Sequence, residues 1–185
     1  MTKKFATELS QYGLTIISGM AEGIDGIAHS ATLEAHGKKI AVLPCGFKNI
    51  FPENNIKLYE QILENDGLVI SEYEENEKAE YNYFLERNRI VAGLSIGTLV
   101  VEGGYRSGTS VTARLAKEQE KNVFCIPSSL ENSKGITPNK LIQEGAFLVT
   151  NVDDIIENYP ELDLIKVEVQ KEKNVEPEFK GIYDI

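Results

Sequence analysis

A doubly wound α/β fold, meaning a mostly parallel sheet with helices on both faces, is the architecture this sequence predicts. Two observations carry the prediction. Short apolar and β-branched runs alternate with helix-period segments along most of the chain. The strand candidates are also continuous apolar runs instead of alternating ones, which is how strands buried on both faces read. Composition permits this: 185 residues, 42% hydrophobic, 26% charged, 15 Gly, 6 Pro and no Trp exclude disordered, collagen-like and disulfide-scaffold classes. A chain of this length buries roughly 70% of its unfolded surface, enough for one full core.

Taken in order, a helix over Thr2–Tyr12 opens the chain and feeds a strand at Leu14–Ser18 (LTIIS). Helix Asp25–His36 leads to strand Lys39–Leu43 (KIAVL), and helix Ile56–Asn65 to strand Leu68–Ser71 (LVIS). The second half repeats the alternation: helix Arg87–Leu94, strand Thr98–Val101, helix Ser110–Glu120, strand Val123–Ile126, helix Pro138–Glu144, strand Phe147–Val149 and helix Val152–Asn158. Residues 1–159 read as one domain. From Pro160 the apolar period is lost, and residues 160–185 read as an acidic linker whose end, Glu178–Ile185, resembles the first turn of a further module. Doubly wound folds bind ligands at the carboxyl ends of their strands, so the loops there are the places to look.

Charge narrows the search. Against 29 Asp+Glu stand 19 Lys+Arg, a net charge of −10, which argues against a protein that coats nucleic acid or an anionic membrane over a broad surface. The acidity is local, however: residues 72–80 hold 5 acids and 1 base, and residues 151–185 hold 10 acids and 4 bases. Residues 81–150 are net positive, with 8 bases and 6 acids, and contain all four arginines, Arg87, Arg89, Arg106 and Arg114. Because salt screens beyond about 8 to 10 Å, such a cluster can hold phosphates in an acidic protein. Cys45 and Cys125, 80 residues apart, suit reduced intracellular thiols. No apolar run approaches the ~18 residues of a membrane span, and the expectation is a soluble, cytoplasmic protein without membrane partners.

Four strand-end loops stand out. Ser18-Gly19-Met20-Ala21-Glu22-Gly23-Ile24-Asp25 is a glycine-rich turn entering a helix that Asp25 is placed to cap, a geometry that favours an anion. Glu102-Gly103-Gly104-Tyr105-Arg106-Ser107-Gly108-Thr109-Ser110 opens the helix bearing Thr112 and nearly matches a P-loop, but Thr109 stands where the lysine belongs. Without that lysine the loop reads as a phosphate cradle and not an ATPase or kinase site. Tyr81-Asn82-Tyr83-Phe84-Leu85-Glu86-Arg87-Asn88-Arg89 sets aromatics beside an Arg-x-Arg, the combination that single-stranded nucleic acid uses; equally, Phe84 can be core and the arginines structural partners of Glu86 or Glu102. Cys45–Pro52 reads as a connection walling the same pocket. His29, four residues after Asp25, reads as a hydrogen-bonding helix-face histidine. No catalytic triad or metal-ligand spacing is present, so no cofactor, metal or enzymatic role is expected.

SGMAEGID-x₃-H, KKIAVLPCG-x₄-FPENN, RNRIVAGLS, LVVEGGYRSGTSVTARLA and LIQEGAFLVT, in this order from about Tyr12 to Ile156, closely resemble the DNA-processing protein A family, also called Smf. The resemblance implies an extended Rossmann-like domain that binds single-stranded DNA, dimerises, and helps load the RecA recombinase onto incoming DNA in natural transformation. Carried onto this sequence, it implies DNA contacts from the Gly19–Gly23 loop, with Gly19, Ala21 and Gly23, and from Arg87, Asn88, Ser107, Gly108 and Thr109; the residues themselves add Ser18 at the head of the first loop, Arg106 as a source of charge and Phe84 or a neighbouring tyrosine as a stacking ring. Supporting roles fall to Asp25, His29, Arg89, Glu102 and Thr112. The chain departs from the family pattern in three places. It begins after a strand that usually ends in a Gly-Ser-Arg loop, Pro127-Ser128-Ser129 replaces Pro-Gly-Ser, and the winged-helix module of many members is not reached. The same wider fold group supplies two alternatives: a nucleoside-monophosphate phosphoribohydrolase with Glu102 in oxocarbenium chemistry, or a nucleotide sensor.

Overall fold

The computed structural model describes residues 1–105 and 107–166, so Arg106, the tail beyond Lys166 and the module start expected at Glu178–Ile185 lie outside the described residues. The chain opens with α1 (Thr2–Gln11), β1 (Ile16–Ser18), α2 (Ile24–Glu34) and β2 (Lys39–Val42), followed by α3 (Ile56–Glu64) and β3 (Leu68–Ile70). Then come α4 (Tyr81–Leu94), β4 (Gly97–Val100), α5 (Gly108–Glu118), β5 (Asn122–Cys125), α6 (Ile136–Gln143), β6 (Phe147–Leu148) and α7 (Asp153–Ile156). Every strand pairing is parallel. The α/β architecture therefore stands as predicted.

The hydrogen-bonded ladder falls in two halves, ordered β1-β2-β3 and β4-β5-β6. Each half winds outward from its first strand. Leu14 and Ile16 on the β1 side and Leu99 and Val101 on the β4 side pack into one cluster around Phe5, Leu9, Phe124, Val149 and Tyr159. The winding thus reverses between the two first strands, which border this shared cluster without pairing with each other, and that reversal is the topological switch point at which such folds take ligands. Further clusters fill each half: Met20, Ala41, Leu43, Cys45 and Ile62 in the first, and Ala92, Val100, Ala113, Ala116 and Val123 in the second. Central strands are the most buried, as continuous apolar runs require, whereas edge strand β6 exposes both Phe147 and Leu148.

One element differs clearly from expectation. α4 begins at Tyr81 and not Arg87, so the aromatic and arginine motif is one continuous helix that crosses from the first half to the second. Poor helix formers at its start, Tyr81-Asn82-Tyr83-Phe84, and an N-cap at Glu80 without a side-chain cap bond hid the two extra turns. Packing supplies what propensity does not: Tyr83 stacks on Tyr73 at 4.1 Å, and Phe84 meets Phe51 edge-on at 5.7 Å.

Candidate nucleic-acid interface

β1 ends at Ser18, and the chain turns through Gly19 to Gly23 into α2. Asp25 does not cap this helix; the cap is Gly23, and Asp25 reaches back so that its Oδ2 accepts from the Gly19 amide at 3.1 Å and the Ala21 amide at 3.2 Å. From below, the Arg87 guanidinium donates through Nη1 to the carbonyls of Gly19 and Val42 and through Nε to Asn88 Oδ1 at 3.3 Å. Gly19 is obligatory for this approach, because a Cβ there would overlap the guanidinium. A third brace comes from outside: Asn55 Nδ2 donates to Met20 O at 2.8 Å, and Asn54 Nδ2 to Glu22 Oε1 at 2.8 Å. Held on three sides, Met20 sits fully buried in the left-handed region at φ 62, a conformation that a non-glycine residue keeps only when its surroundings impose it.

The second loop, after β4, is held differently. Gly103 donates to Lys134 O at 2.7 Å and accepts from the Thr137 amide at 2.9 Å, while Thr137 Oγ1 donates to Gly104 O at 2.7 Å. A Cβ on Gly103 would lie 2.9 Å from Ser107 Oγ and 3.0 Å from Thr137 Cβ, so the loop is packed to the limit beneath. Above, Ser107 caps α5 with extended backbone but without a side-chain cap bond, and the Ser110 amide and hydroxyl both return to Ser107 O. Among the described residues the amides of Gly108 and Thr109 have no acceptor, and they stand at a helix N-terminus, where the dipole favours an anion. Asn88 Nδ2 reaches Gly108 O at 3.5 Å, and Thr112 Oγ1 reaches it at 3.3 Å. Arg87 and Asn88, adjacent on α4, therefore join the two loops at the switch point.

A family model described as DNA recombination-mediator protein A matches residues 1–160. The chain belongs to that family. It is 44% identical over 154 residues to Protein Smf of Escherichia coli (strain K12), covering 83% of this chain and 41% of that protein. The crystal structure of DNA processing protein A from Streptococcus pneumoniae superposes with a TM-score of 0.80 at 40% identity, over 84% of this chain and 54% of that one. DNA processing protein A from Helicobacter pylori, solved for its single-stranded DNA binding mode, gives 0.76 at 34% identity, over 86% and 72%. The chain spans about half the length of the curated relatives it matches. Among its described residues no helix is long and apolar enough to cross a membrane.

Set against the family motifs, the structure redistributes several roles. Arg87, expected to meet phosphate, is 3% exposed with its charge turned onto main-chain carbonyls, so it is a strut for the first loop. Burial lowers its pKa from the ordinary arginine value, and Asp25 opposes that shift. His29 does not make the helix-face hydrogen bond expected of it. It is fully buried, neither ring nitrogen has a partner of ordinary geometry, and burial lowers its pKa to about 4, the nearby Asp25 charge and Ser18 backbone being too weak to reverse this. The structural ion pairs also fall elsewhere: Arg89 pairs with Glu72, and Glu102 lies 3.9 Å from Lys134. Sequence reasoning missed Asn55, Thr137 and Lys134. The FPENN motif was the only signal for Asn55; nothing local marks the other two.

Proposed function

We propose that this chain binds single-stranded DNA at the carboxyl ends of β1 and β4, without catalysis, as the DNA-holding part of a cytoplasmic recombination mediator. The observation that carries the reading is the Gly103–Thr109 cradle, whose Gly108 and Thr109 amides, without an acceptor among the described residues, crown α5, with the exposed Lys134 bracing the loop. A phosphate seated there takes two backbone donors, the hydroxyls of Ser107 and Thr109, and charge from Lys134 and Arg106. The Gly19–Gly23 loop forms the facing wall, fixed by Asp25, Arg87 and Asn55. Phe84, one turn before Arg87 on α4, stacks on a base. The Helicobacter pylori relative supports the reading, since its structure concerns single-stranded DNA binding and 72% of it is covered here. Pairing of two chains would join two cradles into one groove and raise affinity by avidity, and a bound strand held open in this way is a substrate for hand-over to RecA.

Oligo(dT) binding as a function of salt tests the proposal. Log affinity should fall with log salt at about −0.7 per phosphate neutralised. A salt-insensitive affinity, or tight mononucleotide binding without affinity for oligo(dT), overturns it in favour of a nucleotide site.

A further inference from the structure

We infer that Phe51 is a base-stacking residue, the outer ring of a two-ring platform whose inner ring is Phe84. The inference rests on the reading that the cradle holds a DNA backbone. Phe84 lies three residues before Arg87 and four before Asn88 on α4, so all three share one face of the helix, within one turn of about 5.4 Å. Arg87 and Asn88 are the residues that reach the Gly19 and Gly108 carbonyls, which places Phe84 beside the junction of the two loops. Phe51 extends this stripe outward: its ring meets Phe84 with centroids 5.7 Å apart and planes at 82°.

Phe51 is nonetheless 46% exposed, and an edge-to-face neighbour leaves ring surface in water. A single exposed phenylalanine needs no explanation, but this one has two companions of the right kind. Phe47, on the same loop, is 42% exposed. The loop itself is held rigid, with the Gly46 amide on Glu77 O at 2.9 Å, the Lys48 amide on Glu75 O at 2.9 Å and Asn49 Nδ2 on Asn76 O at 2.7 Å. Three and four residues after Phe51, Asn54 and Asn55 tie the same segment to the wall of the site. A ring fixed in this way loses little freedom when a base settles on it, which is what makes a stacking contact effective. The chemistry recognised is the π-face of an unpaired nucleobase, available in a single strand and covered in a duplex.

The test compares oligo(dT) with an abasic oligomer of the same length and phosphate number, on wild type, Phe51→Ala and Phe51→Tyr, with circular dichroism melting to confirm folding. Phe51→Ala is expected to weaken oligo(dT) about fivefold or more while leaving the abasic oligomer unchanged, and Phe51→Tyr to bind both as wild type does. Undiminished oligo(dT) binding by Phe51→Ala, or an equal loss on both oligomers, overturns the stacking role and leaves the cradle reading intact. Failure of the wild type to bind either oligomer overturns both.

Discussion

The two glycine-rich loops at the switch point have similar composition and are braced in different ways. In the loop after β1 two amides go to Asp25 and the carbonyls go to Arg87 and Asn55, while the amides from Glu22 to Asp25, at the start of α2, have no acceptor among the described residues. The loop after β4 is braced only beneath, by Lys134 and Thr137, and leaves the amides at the start of α5 unclaimed among the described residues. Glycine richness therefore does not by itself mark an anion site. A carboxylate that reaches back from the following helix, as Asp25 does to the Gly19 and Ala21 amides, takes the place an anion would occupy at those two donors, and the loop after β4 has no such carboxylate among its described residues.

The sharpest way to break this comparison is Arg87→Ala. If Arg87 is a strut, its loss strips the donors from two buried carbonyls and opens a cavity, costing about 3 kcal/mol or more in urea unfolding. DNA affinity falls because the wall is lost, but the slope of log affinity against log salt in the folded protein stays at the wild-type value. A slope reduced by about 0.7 with stability unchanged would instead mean that Arg87 neutralises a phosphate directly.

A smaller effect comes from His29, packed beneath the same wall. Its pKa in the folded state is lowered to about 4, so the unfolded chain takes up the proton first as pH falls. The stability that depends on its neutral form is complete above about pH 6.5 and is lost progressively between there and about pH 4, amounting to about 2 kcal/mol by pH 5. Melting temperature should drop over this interval in wild type and change less in His29→Leu. Parallel curves for the two proteins would show that other groups carry the acid sensitivity.

The fold was far more legible than the site. All six strands were predicted within two residues of where they lie, because a strand buried on both faces writes itself as a continuous apolar run. The start of α4 was not legible, since its first turns are held by Tyr73 and Phe51, residues distant in sequence. Asp25 was recognised as important and given the wrong partner: a cap and a back-reach to Gly19 and Ala21 require the same residue at the same place. Arg87 was misplaced for a deeper reason. Arginines are seldom buried, and a guanidinium paired with backbone carbonyls leaves no complementary charge in the sequence to reveal it.

Thr137 tests the other half of the comparison and has the smallest expected effect. Its hydroxyl donates to Gly104 O at 2.7 Å and lies 3.5 Å from Ser107 Oγ, so it tethers the cradle from α6. Thr137→Val keeps the branched shape and removes the donor, leaving one carbonyl to find water, at a cost of about 1 kcal/mol. The Gly108 and Thr109 amides remain at the head of α5, so the phosphates contacted do not change in number and the salt slope is preserved. Affinity should fall several-fold because the loop leading to those amides is less fixed before binding, and that freedom is lost on association. Unaltered affinity together with the stability loss would mean that the α5 N-terminus is rigid without its tether. The cradle would then be self-supporting, and the contrast between the two loops would lie only in the carboxylate that Asp25 sets on the Gly19 and Ala21 amides.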